Sequence, residues 1–209
     1  MKSETTLHTS CFSLHYLYFT GGLILMNYKI LGLGGAGRNI LNHMISDFLD
    51  SDHCIYMDTH IQAVSLSKAP FFQLGPEICK GYPAVESRTG TLAAQYSGKE
   101  ILSLIKNTDY LIIIAGMGGG CGTGASQIIA QIAKECCFKT VAIVTSPPKF
   151  QSAVQKKVAE EGIEKLRMIL GNDLHVLPIK LAKLFELFIK SDQEVSSKVK
   201  DILISEKLI

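Results

Sequence analysis

From Tyr28 onward, short apolar runs alternate with longer stretches in which apolar residues recur every three or four positions. The short runs read as β-strands and the longer stretches as amphipathic helices, and their alternation marks β-α-β units joined into a mostly parallel sheet. Strands are expected at Tyr28–Leu33, Cys54–Asp58, Phe71–Leu74, Tyr110–Ala115, Thr140–Thr145 and Leu174–Leu177. The runs YLIIIA and TVAIVT are unbroken β-formers, so both belong at the centre of the sheet, covered on two faces. Helices are expected at Asn39–Phe48 with Ile40, Met44 and Phe48 on one stripe, at Ser126–Cys136 with Ile128, Ile129, Ile132 and Ala133, and at Val154–Leu170 with Val158, Ile163, Leu166 and Ile169. Val195, Val199, Ile202 and Leu203 share one face of a last helix that runs nearly to the terminus. The expected fold is therefore α/β, a three-layer Rossmann-like sheet of about six strands with helices on both faces, ending in a long helix.

Residues 1–26 do not follow this pattern. The apolar run Cys11–Met26 is interrupted by His15 and by Gly21-Gly22, and it falls short of the roughly 20 residues of a membrane helix. No positive leader region precedes it and no small-x-small cleavage site follows, so neither a membrane span nor a cleaved signal is expected. Met26 stands directly before the first strand; the upstream segment is either an extension to a product that begins at Met26 or a packed N-terminal arm. The expected organisation is this extension, one nucleotide-binding domain over residues 27–190, and the start of a central helix over residues 191–209 with no second domain after it.

Composition narrows the function classes. The chain has 209 residues, 47% of them hydrophobic and 19% charged, enough for one well-cored domain and too apolar for a disordered chain. Lys plus Arg number 21 against 19 Asp plus Glu, a net charge of +2, with no basic block or stripe of the kind a nucleic-acid binder uses. The cysteines Cys11, Cys54, Cys79, Cys121, Cys136 and Cys137 form no C-x-x-C pair and have no histidine at zinc-finger spacing, so they read as reduced thiols of a cytoplasmic protein. His43, His53, His60 and His175 pair with no nucleophile in the sequence pattern.

Two glycine-rich segments carry the candidate chemistry. The first, GLGGAGRN over Gly32–Asn39, lies between the first strand and the first helix. Missing side chains let the backbone approach a phosphate, and a helix N-terminus offers unpaired N–H groups with partial positive charge. It also reads as G-x-G-x-x-G through Gly32, Gly34 and Gly37, with Asp58 at the end of the next strand, so a nicotinamide or flavin dinucleotide remains open on this segment alone. The second, Gly116–Gly124 (GMGGGCGTG), holds six glycines in nine residues after the fourth strand. Such a run can wrap successive N–H groups around a phosphate, with the Thr123 hydroxyl as a further donor. A dinucleotide domain has no second loop of this kind, and neither segment ends in the Gly-Lys-Ser/Thr of a Walker loop. Phosphates would be held by backbone amides, and any Mg²⁺ through phosphates and water.

With these segments the chain resembles the tubulin/FtsZ superfamily, and within it the N-terminal nucleotide-binding half of the bacterial cell-division GTPases. The resemblance rests on GLGGAGRN, GMGGGCGTGA, MDTHIQAV and TVAIVTSP and covers about Asn27 to Ile209. It implies GTP or GDP as ligand, with Gly34, Gly35, Ala36, Gly37, Arg38 and Asn39 approaching the nucleotide from the first segment. Gly118, Gly119, Gly120, Cys121, Gly122, Thr123 and Gly124 would cradle the β- and γ-phosphates, Cys121 standing where Thr is usual.

Several positions depart from the family pattern. Asp58, Thr59 and His60 fall on its Asn-Thr-Asp stretch. Pro83 stiffens a loop, Gly81–Arg88, that senses the γ-phosphate in the family. Gln151 and Gln155 stand in place of Glu and Arg beside ribose and base, and Ile179 or Lys180 in place of a guanine-facing Asn. Asp192 or Gln193 is left to read guanine, so weaker base selectivity is expected. The acidic loop that completes a neighbouring subunit's GTPase site is not found, so binding is expected and hydrolysis needs groups from another chain. Expected partners are guanine nucleotide, self-association or a full-length homologue, with neither nucleic acid nor an integral membrane segment. The alternatives are a dinucleotide-binding oxidoreductase domain and a nucleotide-free regulatory partner of a full-length homologue.

Overall fold

A computed structural model describes residues 26–136, 139–179, 186–206 and 208–209. The expectations for residues 1–25 and for Lys180 lie outside the described residues. Six strands, β1 (Tyr28–Leu33), β2 (Cys54–Asp58), β3 (Phe71–Gln73), β4 (Tyr110–Gly116), β5 (Lys139–Ser146) and β6 (Leu174–Pro178), form one sheet. Its order is β3-β2-β1-β4-β5-β6, and every neighbouring pair is parallel. The chain builds outward from β1 to β3, crosses over, and builds outward from β4 to β6 in the opposite direction. The reversal falls between β1 and β4, where a crevice opens beyond the carboxyl ends of the strands.

Alternation along the central strands supplies two cores. Leu31, Leu33, Leu111, Ile113, Ala115, Ala142 and Val144 point to one face of the sheet. Ile30, Ile112, Ile114, Val141 and Ile143 point to the other. The first face is covered by α3 (Ser87–Tyr96), α4 (Gly98–Ile105), α5 (Gly120–Glu135) and α6 (Ala153–Leu170). The second is covered by α1 (Gly34–Asp47) and α7 (Glu186–Ser205), with Val195, Val199, Ile202 and Leu203 of α7 buried as their spacing predicts. Two central strands buried on both faces account for their unbroken apolar sequence.

Two features differ from the pattern. Residues 87–105 form α3 and α4, which the periodicity does not delineate; α3 buries only Gly90, Ala93 and Ala94, too small to give a clear apolar stripe. A short helix, α2 (Pro76–Cys79), precedes them. Both helices that follow a glycine segment also begin earlier than expected, at Gly34 and Gly120, so most of the glycines lie in helical first turns and not in loops. Tertiary packing overrides the cost of about 1 kcal/mol that each helical glycine carries relative to Ala.

Candidate functional site

β1 and β4 run in register with Gly32 opposite Ile114 and Leu33 opposite Ala115, so the segments that leave them emerge side by side. They open onto one cavity of about 320 Å³, within the roughly 300–1,000 Å³ common for small-molecule sites. Gly34, Gly35 and Ala36 line it from the first segment, and Gly118, Gly119, Gly120, Cys121 and Gly122 from the second. Neither helix has a capping side chain: Leu33 and Gly119 occupy the positions where a Ser, Thr or Asp would bind the first-turn N–H groups. By contrast, α6 is capped by Ser152, whose hydroxyl accepts the Gln155 N–H at 3.2 Å. Two uncapped first turns facing one cavity present several backbone donors and two positive dipole ends to it.

The glycines fall into two groups. A Cβ on Gly120 would lie 2.0 Å from the Ala84 carbonyl oxygen, and one on Gly124 2.1 Å from that of Ser87. These glycines let segment 84–91 press its backbone against α5, and Thr91 Oγ1 adds a hydrogen bond to the Gly124 carbonyl at 3.3 Å. Gly35 and Gly119 are exposed, and a Cβ on either meets nothing within 4 Å. Nothing in the protein's own packing requires glycine at these two positions, which border the cavity. Gly118 adopts φ +99°, a left-handed conformation suited to glycine.

Other candidates are placed differently from what their motifs suggest. Thr123 is buried, and its hydroxyl accepts the Gly118 N–H at 2.8 Å; its oxygen ties the loop down and does not line the cavity. Cys121 is buried with its thiol toward the Met57 carbonyl at 3.9 Å, and burial, reinforced by Asp58, pushes that thiol well above its usual pKa. It packs as an inert thiol. Gly37 is held between the backbones of Gly32 and Ile114, while Arg38 bonds Asn39 Oδ1 at 3.0 Å and stands 6.0 Å from the Tyr56 ring. Gly37, Arg38, Asn39 and Gly124 lie outside the lining.

The cavity's two side walls come from opposite halves of the sheet. Asp58, Pro83 and Ala84 form the wall on the β2 side. The Asp58 carboxylate accepts the Tyr56 hydroxyl at 2.5 Å and the N–H groups of Thr59 and His60 at 2.7 and 3.3 Å. Burial and that bond hold the Tyr56 phenol protonated. Asp58 is thus tied into the protein's own hydrogen-bond network, with Thr59 Oγ1 a further donor at 3.5 Å. On the other side stand Thr145, Pro147, Pro148, Gln151, Gln155 and Ile179. The Ser152 hydroxyl lies 3.3 Å from the Gln155 side-chain oxygen. The sequence pattern does not single out Thr145 and the two prolines; their place at the carboxyl end of a central strand, Thr145 in its last two residues and the prolines directly after it, is the signal that could have found them.

Asp192 and Gln193 are not brought to this cavity. Gln193 lines a second cleft with His43, Asp47 and Ser197, between α1 and α7. Asp192, on α7, has its carboxyl pushed up to about 6 by burial. Among the described residues no group of three or more His, Cys, Asp or Glu could hold a metal ion, and no helix is long and apolar enough to cross a membrane.

A cavity at the switch point of a doubly wound sheet, floored by two uncapped helix N-termini, defines a ligand-binding α/β domain of the kind that receives anions. The chain belongs to the tubulin/FtsZ family: the family model described as "Tubulin/FtsZ family, GTPase domain" matches residues 27–173. It is 41% identical over 140 residues to the cell division protein FtsZ of Coxiella burnetii, covering 66% of this chain and 36% of that protein. It is 38% identical over 184 residues to FtsZ of Mycoplasmopsis pulmonis, covering 84% and 47%. Among solved structures it matches an empty FtsZ dimer of M. jannaschii with a TM-score of 0.78 at 28% identity, covering 85% of this chain and 54% of that one. CetZ2 of Haloferax volcanii, a GTPγS-bound protofilament, matches in fold with a TM-score of 0.70 at 16% identity over 85% of this chain and 58% of that one. The chain spans less than half the length of these two sequence relatives.

Proposed function

We propose that this chain binds GTP and GDP at the crevice between β1 and β4, as the nucleotide-holding part of an FtsZ-like cell-division system. The observation that carries the reading is the convergence of two uncapped, glycine-opened helix starts on one cavity, with Gly35 and Gly119 bare toward it. The N–H groups of Gly34, Gly35 and Ala36 hold one side of the phosphate tail, and those of Gly119, Gly120, Cys121 and Gly122 the other, while the Gly118 N–H, taken by Thr123 Oγ1, shapes the loop. Mg²⁺ is bound through phosphate oxygens and water; Asp58, the one carboxylate among the described lining residues, already accepts from the Tyr56 hydroxyl and from the N–H groups of Thr59 and His60.

Hydrolysis transfers the γ-phosphoryl group to water and releases GDP and phosphate. The loop amides stabilise the developing charge, and among the described lining residues the one ionisable carboxylate, Asp58, already accepts from Tyr56, Thr59 and His60, so the groups that orient the attacking water are expected from outside this cavity. Those groups come from another chain, either a second copy or a longer homologue. Ile61, Tyr82 and Val85, 49%, 72% and 85% exposed on the β2 side near the cavity, supply apolar surface for such a neighbour. The names of the relatives, a cell-division protein and nucleotide-bound protofilaments, support the same reading.

Heating the purified full chain and identifying the small molecules it releases tests the proposal. Guanine nucleotide is the expected product; NAD or flavin would contradict it. Sedimentation with GTP, alone and mixed with a full-length homologue, tests association.

A further inference from the structure

The second glycine segment is held unequally along its length. Its far part is clamped by backbone: a Cβ on Gly120, Gly122 or Gly124 would lie 2.0, 2.4 or 2.1 Å from the carbonyl oxygens of Ala84, Gly116 and Ser87 respectively. Gly119, at the cavity, is exposed, and a Cβ there meets nothing. The N–H groups assigned to phosphate on this side begin at Gly119. We infer that Thr123 is a positioning residue for that phosphate. It does not touch the ligand; it holds Gly118, and so the direction of the Gly119 and Gly120 N–H groups, before the nucleotide arrives. The inference rests on the nucleotide binding proposed above.

Thr123 lies in the opening turn of α5, is 1% exposed and stays outside the cavity lining. Its Oγ1 accepts the Gly118 N–H at 2.8 Å, fixing a residue whose φ is +99°. Glycines left free to sample other conformations would have to be ordered by the ligand, at a cost in affinity; a loop already in place avoids that cost.

The direction of the Thr123 side chain is itself fixed from α6. A β-branched side chain has a stiff χ1, and the place of its methyl decides where its oxygen points. Gly162 leaves room for that methyl: a Cβ on Gly162 would lie 2.4 Å from Thr123 Cγ2 and 2.8 Å from Met117 Cε. With the methyl seated against α6, the oxygen faces Gly118. The two branches therefore have separate tasks, and substitution can remove them one at a time.

Thr123→Val keeps the branched shape and removes the acceptor, whereas Thr123→Ser keeps the acceptor and removes the methyl. Both are compared with the parent full chain, stripped of nucleotide, by GDP titration calorimetry and by urea unfolding. Gly118 is partly exposed, so in Thr123→Val water meets its freed N–H and the urea midpoint is expected near the parent's. Its GDP affinity is expected to fall by about tenfold, the equivalent of one hydrogen bond. Thr123→Ser is expected to unfold at lower urea and to bind GDP within about threefold of the parent. Amide hydrogen exchange read by NMR supplies the direct signature: the Gly118 amide is protected in the nucleotide-free parent and in Thr123→Ser, and loses that protection in Thr123→Val. Protection that appears in the parent only after GDP is added overturns the inference, because the ligand then orders the loop. So does affinity that follows the urea midpoint across the variants, which is what a residue supporting only the fold would give. Thr123→Val binding GDP as tightly as the parent overturns the inference and leaves the nucleotide-binding reading standing; a parent that millimolar GDP does not saturate overturns both.

Discussion

The glycine-rich stretch after β4 has two sides that share a composition and differ in what requires it. Toward α3, Gly120 and Gly124 are glycine because another stretch of backbone occupies the place of their Cβ atoms. Toward the cavity, Gly119, like Gly35 across from it, has empty space there. A glycine that packing explains says nothing about a ligand. One that packing does not explain, at an uncapped helix start in a concave site, is where a ligand would account for the choice.

Substitution separates the two sides. Gly120→Ala drives a methyl into the Ala84 carbonyl and is expected to cost about 3 kcal/mol in urea unfolding, because backbone cannot step aside as a flexible side chain can. The double variant Gly35→Ala, Gly119→Ala is expected to keep or slightly raise stability, by about 0.5 kcal/mol, while weakening GDP binding by about 30-fold in calorimetry. If that variant binds as well as the parent, the bare glycines do not face phosphate.

A smaller effect sharpens the contrast between the cavity and its surroundings. Burial raises the Asp192 carboxyl to about 6, above its unfolded value of 3.8. The stability linked to its protonated form is fully present below pH 3.8 and is lost as pH rises through about 6. Asp192→Asn is therefore expected to raise stability by about 1–2 kcal/mol at pH 7.5, to flatten the dependence between those pH values, and to leave GTP affinity unchanged. A loss of GTP affinity would mean that this carboxylate turns into the site after all. The smallest effect is expected from Ser152→Ala, which removes the cap of α6 and should cost about 1 kcal/mol in thermal unfolding. The starts of α1 and α5, with no cap to lose, should instead gain stability on adding nucleotide.

Much of this was legible in the chain. Continuous β-formers such as YLIIIA placed the central strands, and the spacing of Val195, Val199, Ile202 and Leu203 placed the packed face of α7. The helices α3 and α4 were not delineated, because α3 packs through Gly90, Ala93 and Ala94, which carry little hydrophobic signal. Within the candidate site, the motifs brought Gly34 to Ala36 and Gly118 to Gly122 to one cavity. They could not distinguish glycines that serve packing from glycines open to the cavity, since that depends on which backbone lies opposite. The Thr123 hydroxyl, expected as a phosphate donor, accepts the Gly118 N–H and lies outside the cavity lining, and Gln193 faces a different cleft. Such outcomes depend on side-chain direction, which spacing does not encode.

The central claim is that backbone amides at this crevice hold a phosphate tail. Calorimetric titration of the nucleotide-free full chain with GDP and, separately, with guanosine tests it most directly. The account predicts saturable binding of GDP and binding of guanosine weaker by about 100-fold or more, since the phosphates make the principal contacts. Equal affinity for the two, or no binding of GDP at millimolar concentration, would contradict it.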